Sequence, residues 1–216
     1  MTSPTTAFET AFAALPLVAI LRGVKPEEAE AVAQAAYAQG FRLIEVPLNS
    51  PQACDSIARL SRTLPADALV GAGTVLSVDA VRQVRDAGGR LIVMPHADTQ
   101  VIIAAKQKGM LCVPGAATPT EAFAAVHAGA DAVKLFPAEL VTPAVVKAMR
   151  AVLPKSLKLL PVGGITPANM GEFYRVGANG FGLGSALYAP GLAASEVAAR
   201  ARQFVDAWQA LTAASK

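Results

Sequence analysis

A lysine embedded in an apolar run is the first residue of this sequence with unusual chemical potential. Lys134 lies in Asp131-Ala-Val-Lys-Leu-Phe-Pro137. An ammonium among Ala132, Val133, Leu135 and Phe136 is costly to keep charged, so its pKa should fall. The neutral amine that results attacks carbonyl carbon and forms Schiff bases. The same run also suits a lysine whose stem lies along a strand end while its head reaches water. Glu45 is the matching anomaly, a lone carboxylate in Leu43-Ile-Glu-Val-Pro47. A carboxyl placed there needs a buried partner or keeps its proton, and such a poised group suits proton transfer. A structural ion pair is the other reading, and with Lys134 as the partner the two anomalies become one site.

Two glycine-rich turns come next. Val162-Gly163-Gly164-Ile-Thr-Pro167 and Gly182-Leu-Gly184-Ser185 each let backbone N–H groups approach an anion closely. Glycine also serves ordinary turns, but two such turns one βα unit apart near the end of the chain point to a phosphate site. Arg22, in Leu21-Arg-Gly23, can grip a substrate carboxylate in a fork, and Thr74, in Gly71-Ala-Gly-Thr74, can complete the grip with its hydroxyl. Read alone, Arg22 is equally a surface residue. Neither His96 nor His127 belongs to a cluster of metal-ligating residues in the sequence, so no metal site and no cofactor is expected.

These residues need elements to carry them. Strand-like runs occupy Leu17–Leu21, Phe41–Val46, Leu69–Gly73, Leu91–Met94, Leu111–Val113, Ala132–Leu135, Leu157–Leu160 and Gly180–Leu183. Alanine-rich segments with helical spacing lie between them. Many open on Ser50-Pro51, Thr118-Pro119, Thr142-Pro143 or Thr166-Pro167, where the hydroxyl caps orphan N–H groups and proline has none to lose. Several close on glycine, as at Gly40, Gly88, Gly109, Gly129 and Gly177. Alternating strands and helices predict parallel pairing with right-handed crossovers, hence a single (β/α)8 TIM-barrel domain over residues 1–216. A doubly wound open sheet is the rival architecture. An extra helix from about Thr5 to Ala14 precedes the first strand and would cover the bottom of the barrel. Lys134, Glu45, Arg22, Thr74 and both glycine turns then fall at the carboxyl ends of strands, where barrel active sites form.

Composition restricts the partners. The net charge is +3, from 19 basic and 16 acidic residues, too slight and dispersed for nucleic acid. Mean hydropathy is positive, yet no apolar run reaches the ~18 residues of a membrane span. The first residues lack the pattern of a secretory signal, so a cytoplasmic location is expected. Cys54 and Cys112 lack the spacing of a disulfide framework or a thiol metal site, and Cys112 in Met110-Leu-Cys-Val113 reads as a small core residue.

Taken together, Leu21-Arg-Gly23, Glu45-Val-Pro-Leu-Asn-Ser-Pro51, Gly71-Ala-Gly-Thr-Val75, Lys134-Leu-Phe-Pro137, Val162-Gly-Gly164 and Gly182-Leu-Gly-Ser185 resemble the 2-keto-3-deoxy-6-phosphogluconate/phosphogalactonate aldolase family. Order and spacing match from about Leu15 to Trp208. The resemblance implies a homotrimeric barrel that uses Lys134 as Schiff-base lysine and Glu45 as proton shuttle. It implies that Gly163, Gly164, Gly184 and Ser185 hold phosphate, that Arg22 and Thr74 lie near the substrate carboxylate, and that Pro95 and Phe136 wall the pocket. Asn49 and Val162 stand where the phosphogluconate branch has arginine and threonine, so this chain resembles the phosphogalactonate branch. The expected reaction is cleavage of 2-dehydro-3-deoxy-6-phospho-D-galactonate to pyruvate and D-glyceraldehyde 3-phosphate, with the C4 epimer as alternative substrate. A phosphosugar isomerase without a lysine adduct and a non-catalytic phosphosugar-binding barrel are the rival functions.

Overall fold

In the computed structural model, which describes residues 4–213, the apolar runs form parallel strands separated by helices. The strands are β1 (Leu17–Ile20), β2 (Leu43–Pro47), β3 (Leu69–Gly73), β4 (Leu91–Val93), β5 (Leu111–Val113), β6 (Gly115–Ala116), β7 (Val133–Leu135), β8 (Leu159–Pro161) and β9 (Phe181–Leu183). The helices are α1 (Pro4–Ala14), α2 (Pro26–Ala38), α3 (Ala53–Thr63), α4 (Val78–Asp86), α5 (Thr99–Gln107), α6 (Pro119–His127), α7 (Pro143–Val152), α8 (Met170–Arg175) and α9 (Ala194–Ala213). One run of paired strands is β5-β4-β3-β2-β1-β9 and the other is β6-β7-β8. A bridge between Val162 and Gly182 joins β8 to β9, and β6 continues the chain of β5. The result is the expected barrel, curled from two arcs that meet at two seams. The ends of the expected span, residues 1–3 and 214–216, lie outside the described residues.

At the first seam the expected strand Leu111–Val113 is present as β5, and a further short strand, β6, follows it. The fifth strand is split, because Pro114 has no N–H with which to continue a ladder. Its carbonyl instead accepts from Lys134 N at 2.8 Å. Residues before it pair with β4 and residues after it pair with β7.

Side chains alternate between two cores, as the pleat requires. Along β2, Ile44 and Val46 join the large core between barrel and helices, while Leu43 joins the lumen. Along the β7 segment, Val133 and Leu135 face the helices and Ala132 faces the lumen. The lower lumen is filled by Leu43, Leu69, Leu91 and Leu111, which are the first residues of their strands, packed with Phe8 and Phe12 of α1. The extra helix therefore covers the bottom. Lys158 pins it there, with Nζ 2.6 Å from Glu9 Oε1 and 5.8 and 5.4 Å from the ring centres of Phe8 and Phe12.

Helix starts follow the sequence signals in part. Thr118 and Glu121 form a reciprocal capping box, and Ser77 accepts from Ala80 N at 3.1 Å. Ser50-Pro51 and Thr166-Pro167 do not open helices; α3 begins at Ala53 and α8 at Met170. Both segments are engaged elsewhere. Ser50 Oγ accepts from Gly23 N at 2.9 Å, and Thr166 closes a turn with Asn169.

Candidate active site

The alternation that places Leu43 in the lumen places Glu45, two residues on, in the same lumen nearer the carboxyl ends. Glu45 is 1% exposed and Lys134 is 5% exposed. Glu45 fits beside β3 only because that strand carries glycine: a Cβ on Gly73 would lie 1.7 Å from Glu45 Oε2. Glu45 Oε2 is buried without a hydrogen-bond partner. Burial pushes the Glu45 carboxyl up to about 7, against the pull of the Lys134 and Arg22 charges. Burial likewise pushes the Lys134 ammonium below its usual range; nearby Glu45 opposes this and Arg22 assists it. Among the ion pairs of the described residues, none at 4.0 Å or less joins Glu45 to Lys134. The two line one narrow apolar space with Val18, Ile20 and Leu160. They are electrostatic neighbours across a dry gap, unlike a closed structural salt bridge. The Phe136 ring covers the amine, its centre 4.4 Å from Nζ.

Above this gap opens a cavity of about 390 Å³ at the mouth of the barrel. Lys134, Phe136 and Arg22 line one part of it, and Val162, Gly163, Gly164, Gly184 and Ser185 line another. Gly163 and Gly164 adopt φ of 111° and 61°, values that favour glycine. Asn169 Nδ2 donates to Gly164 O at 2.8 Å and braces the turn. Among the loop and turn hydrogen bonds of the described residues, none is donated by the N–H groups of Gly164, Gly184 and Ser185, so three donors at the cavity rim are unspent. Such a cluster is a natural seat for a phosphate.

Arg22 is held by its neighbour across the mouth, Nη1 donating to Asn49 Oδ1 at 2.7 Å. Thr74 and Pro95 do not line this cavity. Thr74 follows Gly73 directly and takes a φ of 55°, which is strained for a β-branched residue and fixes it at the rim on the Glu45 side. Pro95 is partly buried after β4, its backbone packed so closely on Gly115 that a Cβ there would lie 2.5 Å away. His96 is exposed and His127 stacks near Phe123 at the end of α6. Among the described residues, no group of His, Cys, Asp and Glu is arranged to hold a metal ion. Cys112 is core, its thiol pushed up to about 12 by burial.

One cavity residue escapes the sequence reading. Glu139, between β7 and α7, lines the mouth and lies over the paired glycines. A second acidic residue five positions after the lysine was the available signal.

Known proteins share the sequence pattern and the fold of this chain. The family model for KDPG and KHG aldolase matches residues 8–200. A probable 2-dehydro-3-deoxy-6-phosphogalactonate aldolase of Rhizobium meliloti (strain 1021) is 47% identical over 196 residues, 91% of this chain and 92% of its own. The 2-dehydro-3-deoxy-6-phosphogalactonate aldolase of Escherichia coli (strain K12) is 44% identical over 195 residues, covering 90% and 95%. A solved structure described as native KDPGal superposes with a TM-score of 0.90 at 43% identity, over 92% of this chain and 97% of that one. With the match spanning nearly all of the barrel, the chain belongs to the KDPG and KHG aldolase family.

Proposed function

We propose that this chain is a class I aldolase that cleaves 2-dehydro-3-deoxy-6-phospho-D-galactonate to pyruvate and D-glyceraldehyde 3-phosphate. The observation that carries the reading is the pairing of Lys134 and Glu45. Burial favours the neutral amine of one and holds the carboxyl of the other near neutrality, in one dry space beneath a mouth lined with free N–H donors. The choice of the galacto epimer is supported by the names of the relatives at 47% and 44% identity.

Neutral Lys134 adds to the C2 ketone, and loss of water from the carbinolamine, assisted by Glu45, leaves an iminium. The C4 hydroxyl proton passes to the Glu45 carboxylate, directly or through a water, as the C3–C4 bonding pair moves toward the iminium nitrogen. Glyceraldehyde 3-phosphate leaves and an enamine remains. Protonation at C3 and addition of water then return pyruvate and free Lys134. The iminium is the electron sink, so the step calls on no group outside the chain and its substrate. In this reading Gly163, Gly164, Gly184 and Ser185 take the phosphate and Arg22 and Thr74 the carboxylate. Phe136 and Pro95 shape the walls. The acting unit is one barrel per chain, assembled as a cytoplasmic homotrimer.

Borohydride added with pyruvate tests the reading. Inactivation should accompany a reduced pyruvyl adduct on Lys134, found by peptide mass, and Lys134→Ala should abolish both adduct and cleavage. A folded Lys134→Ala protein with near-normal cleavage refutes the role. Turnover without any adduct would favour the isomerase reading.

A further inference from the structure

We propose that Glu139 is a built-in competitor for the phosphate seat: its carboxylate occupies the Gly163–Gly164 turn until the phosphate group of a ligand displaces it. The proposal rests on the reading of that turn as the phosphate site. A Cβ on Gly163 would lie 2.3 Å from Glu139 Oε2, and one on Gly164 would lie 3.3 Å from Oε1. Both oxygens thus lie against the pair of glycines, and a single carboxylate spans the turn. Glu139 shares the cavity with Lys134, Arg22 and Ser185, so it stands inside the space a phosphorylated ligand must fill.

Two facts make the occupancy reversible. Glu139 is exposed, and among the described residues no side-chain hydrogen bond or ion pair secures it. The unspent N–H donors of Gly164, Gly184 and Ser185 nearby favour an anion there, since an anion is the complement of such a cluster. A ligand phosphate is the stronger anion, carrying roughly two charges and three acceptor oxygens. It cannot share the turn with a carboxylate at these distances, because like charges there repel and the volumes overlap. The side chain must therefore swing toward solvent as substrate binds and return as the phosphorylated aldehyde leaves. Glu139 in this role acts on affinity for the phosphorylated end of the ligand and has no part in the bond-breaking step.

Calorimetric titration of inorganic phosphate into the full chain, its Glu139→Gln variant and its Glu139→Ala variant tests the idea. Glu139→Gln keeps the shape and removes the charge. Both variants should bind phosphate more tightly, by about three- to ten-fold, the size expected when one exposed repulsive charge next to a dianion is removed. The gap between wild type and Glu139→Gln should narrow as ionic strength rises, a dependence that a packing role does not show. The pyruvate concentration giving half-maximal borohydride trapping serves as the reference, because pyruvate carries no phosphate. Wild-type binding with equal or weaker binding in both variants overturns the role of Glu139 and leaves the phosphate site standing. A wild-type chain that binds no phosphate removes the site itself, and the proposal with it.

Discussion

The two ends of the barrel lumen are built from the same strands and serve opposite purposes. At the bottom, Leu43, Leu69, Leu91 and Leu111 interlock with Phe8 and Phe12, and α1 shuts the opening. One layer up, β2 supplies Glu45 and β7 supplies Lys134, while Gly73 of β3 leaves room for the Glu45 carboxyl. The lower layer closes the site from below. An apolar floor excludes water, and exclusion of water is the leading cause of both pKa displacements. Stability and reactivity are thus properties of adjacent layers, coupled through hydration.

The largest expected effect belongs to the upper layer. Glu45→Gln keeps the volume and removes the base, so kcat/KM should fall by about 10²- to 10⁴-fold. In the unsubstituted chain, kcat/KM should rise with pH through a limb near about 7 as Glu45 ionises, and that limb should be absent from the variant. Stability carries the same signature. The folded carboxyl keeps its proton up to about 7, while an unperturbed one ionises at 4.5. The native state therefore binds more protons between those values, and its stability declines as pH rises across that window. Denaturant titrations of wild type and variant should differ in that slope. An unchanged slope and limb would dissociate Glu45 from the proton step.

The next effect belongs to the floor. Phe8 is 1% exposed, and Phe8→Ala should cost about 3–5 kcal/mol of stability from lost burial and an unfilled cavity. Water admitted below should also ease the desolvation of Glu45, moving the pH limb downward from about 7. Loss of stability with an unmoved limb would show that the floor holds the fold together without drying the site.

The smallest effect concerns the choice of epimer at the mouth. Val162 lines the cavity beside the paired glycines and offers only methyl groups. Val162→Thr adds one hydroxyl at nearly constant volume. A hydrogen bond worth about 0.5–1.5 kcal/mol should shift the ratio of kcat/KM values toward the gluco epimer by about two- to twelve-fold. A wild-type preference for the gluco epimer overturns the choice of substrate and leaves the aldolase chemistry in place.

Much of this arrangement is legible in the sequence. Strand order follows from apolar runs and their caps, and Lys134 and Glu45 stand out because a charge in such a run must be explained. The covering helix is visible as a helical stretch before the first strand. Other features depend on neighbours that are distant along the chain. Pro114 breaks a ladder only where β4 and β7 require different donors. Ser50 reads as a helix cap until Gly23 N competes for its hydroxyl, and Thr166 until Asn169 closes on it. Glu139 has an ordinary local context, and only the fold of Gly163 and Gly164 beneath it gives it meaning.

The two seams have a mechanical consequence. The longer arc, β5 through β9 by way of β1, carries Glu45 and leads into Gly184, while the shorter arc carries Lys134 and leads into Val162. Base and nucleophile therefore belong to different arcs, joined at Pro114 by one continuous chain and between β8 and β9 by the Val162–Gly182 bridge and the hydrogen bonds of Asn179 with Leu159. Any relative movement of the two arcs would change the separation of Glu45 from Lys134. The hydrogen bonds of Asn179 with Leu159 at the second seam thus bear on the reaction without involving a residue that meets the substrate.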